Sequence, residues 1–409
     1  MLNWAARFNI CCFLDDSNYG QQPHSWDCLL AAGASTIFSP RYNILAQLKQ
    51  FLAGNNRWLF GHIGYDLKNE TEPGLHSLKA GNTGFPTVFL FEPEIVITVQ
   101  AYTVVIHSAG VPPANVFSEI LQVGNVQQPA PAQPVTINAR LSRDEYIDII
   151  KKLKAHIQRG DCYELNFCQE FYACPATINP LTVYNRLAAV SPAPFACFYR
   201  LYDKYLLCAS PERYIKKTGS SIISQPMKGT AKRDPEDTDA DEALKVALAC
   251  SSKDQAENVM VVDLVRNDLA KICAEGSVYA SRLFEIQTFP QVHQMVSTVS
   301  GTLLPAVDLS DVLQATFPMG SMTGAPKKRV LELVEQYENL NRGIFSGAVG
   351  YISPGNDFDF NVVIRSIMYN AATQYVSYIV GSGITFYSNE EKEYEECLLK
   401  ALAMAKALS

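Results

Sequence analysis

Apolar and polar positions alternate along much of the chain. In its first third, RWLFGHIGYDL, PTVFLFEPEIVITV and YTVVIHS are β-branched and aromatic and are bounded by Gly, Pro and Asn, the pattern of strands. FACFYRL, KYLLCASP, RYIKKTG, SSIISQP and YVSYIVGSGITFYS repeat it further on. Elsewhere the period becomes helical. Tyr146, Ile149, Ile150, Leu153 and Ile157 share one helix face, Ser142 is placed to cap that helix and Gly160 to stop it. Further helices are expected at ALKVAL, SKDQAENVMVVDLVRNDLAKI, APKKRVLELVEQYE and NEEKEYEECLLKALAMAKAL. Strands and helices do not alternate strictly, which favours an α+β fold with largely antiparallel sheet. One stretch fits neither pattern. VQQPAPAQPVTI, residues 126–137, predicts an extended connector between a β-rich N-terminal part, 1–125, and a larger part, 138–409.

Composition narrows the function. With 48% hydrophobic and 18% charged residues among 409, the chain can bury a large core and is no disordered polyelectrolyte. A net charge of −7 argues against nucleic acid or an anionic membrane as the main partner. It also means that an anionic substrate needs a local cation, either a metal or a positioned Lys or Arg. The 11 cysteines form no Cys-x-x-Cys pair, and most lie in apolar strings, such as Cys208 in YLLCAS and Cys250 in ALAC. They read as small core residues rather than disulfides or a zinc site. The opening MLNWAARFNI has no basic segment followed by an apolar one, and no apolar run is long enough to span a bilayer. A cytoplasmic, reduced chain is expected.

Five segments carry candidate chemistry. In the last helix, Ser388 and Glu391 have capping-box spacing, and Glu393, Glu396 and Lys400 share one face. Near residue 255, Asp254 and Glu257 repeat the acidic i, i+3 pair at the start of a very apolar helix, with Ser251 or Ser252 as cap. Each pair alone reads as a solvated first turn favoured by the helix dipole. Two such pairs meeting could instead hold one Mg²⁺, which takes one or two protein carboxylates and keeps waters. In SPERYIKKTGSSIISQPMKGTAKR, a hairpin would bring Glu212 and Lys228 to one cleft. There a desolvated lysine of lowered pKa is a nucleophile, and a buried carboxylic acid is a general acid; the plain alternative is a hairpin salt bridge. In MGSMTGAPKKR, Ser321 lies in a loop opening a helix, a potential anion site or simply a cap. In the fifth segment, Tyr351 lies at a strand end, Arg365 needs a carboxylate partner if buried, and Gly381 and Gly383 allow close backbone approach to a ligand.

The strings SPERYI, QPMKGTAKR, AENVMVVDLVRNDLAK, MGSMTGAPKKR, SGAVGYI, IRSI, GSGI and EYEECLLKA, in this order over residues 140–409, resemble the chorismate-utilising enzymes. That family includes anthranilate, aminodeoxychorismate, isochorismate and salicylate synthases. The resemblance implies an antiparallel β-sandwich core surrounded by helices, with the two parts intertwined. It implies Mg²⁺ on Glu257 and Glu396, with Asp254 and Glu393 holding its waters. Ser321, Tyr351, Arg365, Gly381, Gly383, Thr230 and Lys400 fall on substrate-binding positions, and Glu212 on the general acid. Lys228 resembles the aminodeoxychorismate synthases, where it implies covalent attack at C2 of chorismate, followed by ammonia at C4. Gln294 stands where the family has a His associated with pyruvate elimination, and Glu164 where isochorismate-type enzymes have a water-activating Lys. The sequence shows no glutaminase elbow, so the resemblance implies a separate glutamine amidotransferase subunit or free ammonium. Relatives can hold tryptophan in the N-terminal sheet, and CCFLDDS falls where that site would lie. Two alternatives stay open: an anthranilate-forming enzyme, and a non-catalytic chorismate- or tryptophan-binding subunit.

Overall fold

The strands that the alternation predicts form, often to the residue. Phe195–Leu201, Lys204–Ser210, Arg213–Thr218, Ser221–Gln225 and Tyr375–Thr385 are all extended. The computed structural model describes residues 1–409 except 18, 20–25, 76, 78, 80, 124–134 and 291. Among the described residues the strands form two large sheets of eleven and ten strands, and every ladder is antiparallel. No helix among them is long and apolar enough to cross a membrane.

The two parts of the chain share both sheets. Ile10–Asp15 pairs with Phe195–Leu201, and Leu59–Ile63 pairs with Ala348–Ile352. Of the expected connector, residues 126–134 lie outside the described residues, while Val135 and Ile137 pack partly against the core. One apolar cluster, including Phe60, Phe91, Cys197, Tyr199 and Met368, fills the space between the sheets. Phe60 and Phe91 are fully buried, each contributing roughly 1.5–3 kcal/mol of transfer free energy. Two further clusters lie under the helices on the outer faces.

Helix ends follow their chemistry. Ser142 caps Arg143–Gln158 through a reciprocal box with Glu145, and Gly160 follows with φ +82°. Ser251 caps Ser252–Ala270. The final helix, Glu390–Leu408, starts one residue later than the spacing suggested: Asn389 caps it by accepting from the Lys392 N–H, and Ser388 accepts from the Thr385 N–H instead. Ser252–Ala270 is also less buried than its apolar run implied. Val262, Val265 and Leu269 pack inward, but Asp263 and Arg266 are exposed and Val259 is 38% exposed. Cys208 is buried as expected; Cys250, at a helix end, is exposed.

Candidate active site

Two long strands of the larger sheet, Glu164–Ala173 and Tyr375–Thr385, lie side by side, with Glu164 opposite Thr385 and Asn166 opposite Gly383. Glu164 and Leu165 also pair with Gly324–Ala325, which follows the turn Gly320–Met322 that carries Ser321. The second sheet supplies Met227–Lys232, which bulges between Met227 and Thr230 against Val292–Thr302. The bulge holds Lys228 and Gly229. Asn258 of the helix Ser252–Ala270 donates to the Lys228 carbonyl at 3.3 Å and accepts from Ser297 at 2.6 Å, tying helix and bulge together.

The side chain of Lys228 crosses to the other sheet. Its ammonium pairs with Glu164 and lies 3.9 Å from Glu257. Gly383 makes room for it: a Cβ at that position would sit 2.0 Å from Lys228 Nζ. A Cβ on Gly229 would come within 3.1 Å of the Asp254 side chain. The electrostatics reverse one expectation. Burial lowers the basicity of Lys228, but the carboxylates of Glu164, Glu257 and Glu396 outweigh it, so the pKa is raised and the resting group is an ammonium. Sequence reasoning treated Glu164 only as a departure from a family pattern and missed it as the partner of Lys228.

Glu212 sits just before the strand Arg213–Thr218 and is 3% exposed. Burial pushes its pKa up to about 8, against the opposing pull of the Ser321 hydroxyl, the Met227 N–H and Lys228. At neutral pH it is mostly a neutral carboxylic acid that can donate a proton. The Glu212–Lys228 convergence therefore forms through Met227, the neighbour of the lysine.

The two acidic turns also face Lys228. Glu257 is raised by burial and by the nearby charges of Glu164 and Asp254, against Lys228 and Lys253. Glu393 is raised by burial and by Glu396, against a hydrogen bond from Ser388. Glu396 is lowered mainly by Lys400, which it contacts at 2.7 Å; Lys400 also donates to the Gly381 carbonyl at 3.2 Å. Asp254 is held by its cap, Ser251.

A model of the chorismate binding enzyme family matches residues 11–406. The chain belongs to the chorismate binding enzymes. It is 38% identical over 258 residues to aminodeoxychorismate synthase component 1 of Salmonella typhimurium, covering 63% of this chain and 56% of that protein. It is 39% identical over 272 residues to the probable chloroplastic aminodeoxychorismate synthase of Oryza sativa subsp. japonica, covering 65% of this chain and 30% of that protein. The chain thus matches only about a third to a little over half of the length of these relatives. The structure of anthranilate synthase component I from Streptococcus pneumoniae TIGR4 shares its fold, with a TM-score of 0.80 at 24% identity over 94% of this chain and 93% of that one.

Not every expected residue of this chorismate binding chain joins the cluster. Tyr351 lies in Ala348–Ile352, separated by four intervening strands from Met227–Lys232 in the same sheet. Only 8% exposed, it packs against Trp58 and Phe60 and lines a separate cavity with Asp15, Trp26 and Asp359. Part of CCFLDDS lines the same cavity, through Leu14, Asp15 and Asp16. Arg365 does not end a strand. It occupies a left-handed break, φ +48°, between Phe358–Asn361 and Ser366–Asn370, and its carbonyl accepts from Ala209. No carboxylate among the described residues pairs with its guanidinium, and burial lowers its pKa against the pull of the Tyr19 phenol. Thr230 is exposed and takes a long, 3.5 Å, hydrogen bond from Gln294. His293, on the other face of that strand, is engaged by Thr288 at 3.0 Å and Asp241 at 3.1 Å.

The donor chemistry suits a hard cation. Asp254, Glu257, Glu393 and Glu396 offer only oxygen, and Glu257 and Glu393 are raised first by burial and then by neighbouring carboxylates, charge that a cation would offset. Among the described residues no three such side chains already converge as a metal cluster. Mg²⁺ does not require that, since it binds through one or two carboxylates and completes its shell with water and substrate oxygens.

Proposed function

We propose that the chain aminates chorismate at C4, giving 4-amino-4-deoxychorismate, the precursor of 4-aminobenzoate and folate, with ammonia from a separate glutamine amidotransferase subunit. The observation that carries this reading is Lys228, seated against Gly383 with Glu164 on its amine and the neutral acid Glu212 beside the neighbouring Met227.

The steps balance. Lys228 passes a proton to Glu164, the carboxylate already touching it, and becomes an amine. The amine bonds to C2 of the ring diene, both double bonds shift by one position, and the C4–O bond breaks. Glu212 gives its proton to the departing hydroxyl, which leaves as water. Ammonia then adds at C4, both double bonds shift back and the C2–N bond breaks. Glu212, now a carboxylate, takes the surplus proton from the new C4 nitrogen, and Lys228 regains its own from Glu164. The net change is replacement of hydroxyl by amine. Ser321, the backbone at Gly381 and Gly383, and Arg365 would orient the carboxylates; an Arg with no carboxylate partner among the described residues suits an anionic ligand. Glu257 and Glu396 would hold Mg²⁺, with Asp254 and Glu393 beside them. When bound, the ion would draw electron density from the ring carboxylate.

A cytoplasmic setting fits the free thiols of all 11 cysteines. The test is direct: incubate the pure protein with chorismate, Mg²⁺ and ammonium, and identify products by mass and fluorescence. Anthranilate as product would refute the reading, and an unreacted mixture from folded protein would favour a binding subunit. In Lys228→Ala, the adduct should vanish from the intact-protein mass spectrum while chorismate still binds.

A further inference from the structure

Two of the polar atoms left without partners flank the Lys228 site. Thr385 Oγ1 lies on the residue paired with Glu164, and Gln294 Oε1 on the residue paired with Thr230. Gln294 is 9% exposed. Its amide nitrogen reaches Thr230 Oγ1 at a long 3.5 Å, and its carbonyl oxygen has no donor among the described residues. A buried acceptor without a donor is costly unless a ligand supplies one. Because strand side chains alternate, Gln294 faces away from His293 and shares a face with Thr230, two residues along the strand from Lys228.

The reactants narrow what can fill this position. An amide oxygen repels carboxylates and takes only a hydrogen-bond donor. Chorismate offers two carboxylates, an ether oxygen and a single hydroxyl, and that hydroxyl leaves as water before the second nucleophile adds. Ammonia is the remaining donor. An amide carries no charge at working pH, so it favours ammonium, which has no lone pair for attack, far less than a carboxylate would.

We infer that Gln294, with Thr230 beside it, is the binding position of the incoming ammonia, its carbonyl oxygen accepting one N–H and directing the nitrogen lone pair at C4. This rests on the amination reading above. The experiment therefore separates two half-reactions in the full-length protein. Adduct formation on Lys228, measured by intact mass with chorismate and Mg²⁺ and no ammonia, reports the base reading. Ammonium dependence of product formation reports Gln294. In Gln294→Leu the KM for ammonium should rise about tenfold, the worth of one hydrogen bond, while chorismate affinity and the adduct rate stay unchanged. In the near-isosteric Gln294→Glu, the carboxylate should hold ammonium: KM for ammonium does not rise, kcat falls, and the optimum moves to higher pH. An unchanged ammonium KM in Gln294→Leu, or chorismate affinity weakening in parallel with it, overturns the assignment. A parent protein that forms no aminated product overturns the amination reading and this inference with it.

Discussion

Gly383→Ala tests the site geometry most sharply. Gly383 does not have a positive φ, so the backbone accepts alanine. The obstacle is the amine: the new Cβ would lie 2.0 Å from Lys228 Nζ and 3.2 Å from Glu164 Oε1. Ordinary contact needs about 3.5 Å, so the ammonium must retreat by roughly 1.5 Å. It is the far end of a flexible chain, so folding should survive with a change in stability under about 1 kcal/mol, part of it offset by the lost unfolded-state freedom of glycine. Catalysis should not survive as well. Misplacing a reacting group by about 1 Å costs on the order of 100-fold in rate. The assay is rapid-quench mass spectrometry of the Lys228 adduct, beside thermal unfolding. A folded Gly383→Ala protein that forms adduct at the parent rate would refute the idea that this glycine seats the nucleophile.

Other outcomes follow from the same site. The parent should lose activity as pH rises through about 8, and Glu212→Gln should lower kcat by about 10²–10⁴ and remove that loss from the pH–rate profile. Its stability effect has a definite sign. Between the ordinary value of 4.5 and about 8, the folded state holds a proton on Glu212 that the unfolded state releases, so parent stability falls as pH rises across that window. Melting temperatures of Glu212→Gln should depend less on pH there. Glu164→Gln removes the proton acceptor and the main support of the ammonium: adduct formation should slow, while the Lys228 pKa, followed by pH-dependent chemical labelling, should fall.

Much of the fold was legible because the signals were local. Alternation set the strands, and the Ser142–Glu145 box set a helix start to the residue. The final cap was missed by one position because Ser388 and Asn389 are both good caps, and only the Thr385–Ser388 turn decides between them. The acidic pairs, Glu212 and Lys228 could be named from spacing and resemblance. Their electrostatics could not. The lysine looked like a desolvated amine because the hairpin shows only its own strand. Glu164 comes from a strand of the other sheet, and Glu257 and Glu396 from two separate helices. The surroundings of Tyr351 were hidden for the same reason: its motif marks a strand, and only pairing with Phe60 in register sets its ring against the inter-sheet core.

The charge balance leads to a last expectation, about binding order. Around the amine stand Glu164, Asp254, Glu257, Glu393 and Glu396, against Lys228, Lys253 and Lys400. A dianionic substrate entering this cleft meets net repulsion. Two unit charges about 4 Å apart interact by roughly 4 kcal/mol at an effective dielectric of 20, so one divalent cation between Glu257 and Glu396 removes most of that repulsion. Mg²⁺ and chorismate should therefore bind with strong positive coupling, and linkage requires each to tighten the other by the same factor. Titration calorimetry of chorismate with and without Mg²⁺, and of Mg²⁺ with and without chorismate, measures both factors. The coupling should shrink in Glu257→Gln and Glu396→Gln, since each removes a unit of the charge that makes the cation necessary. Chorismate binding as tightly without any divalent ion as with it would mean that Lys228 and Arg365 suffice to hold the substrate, and the acidic turns would need another explanation.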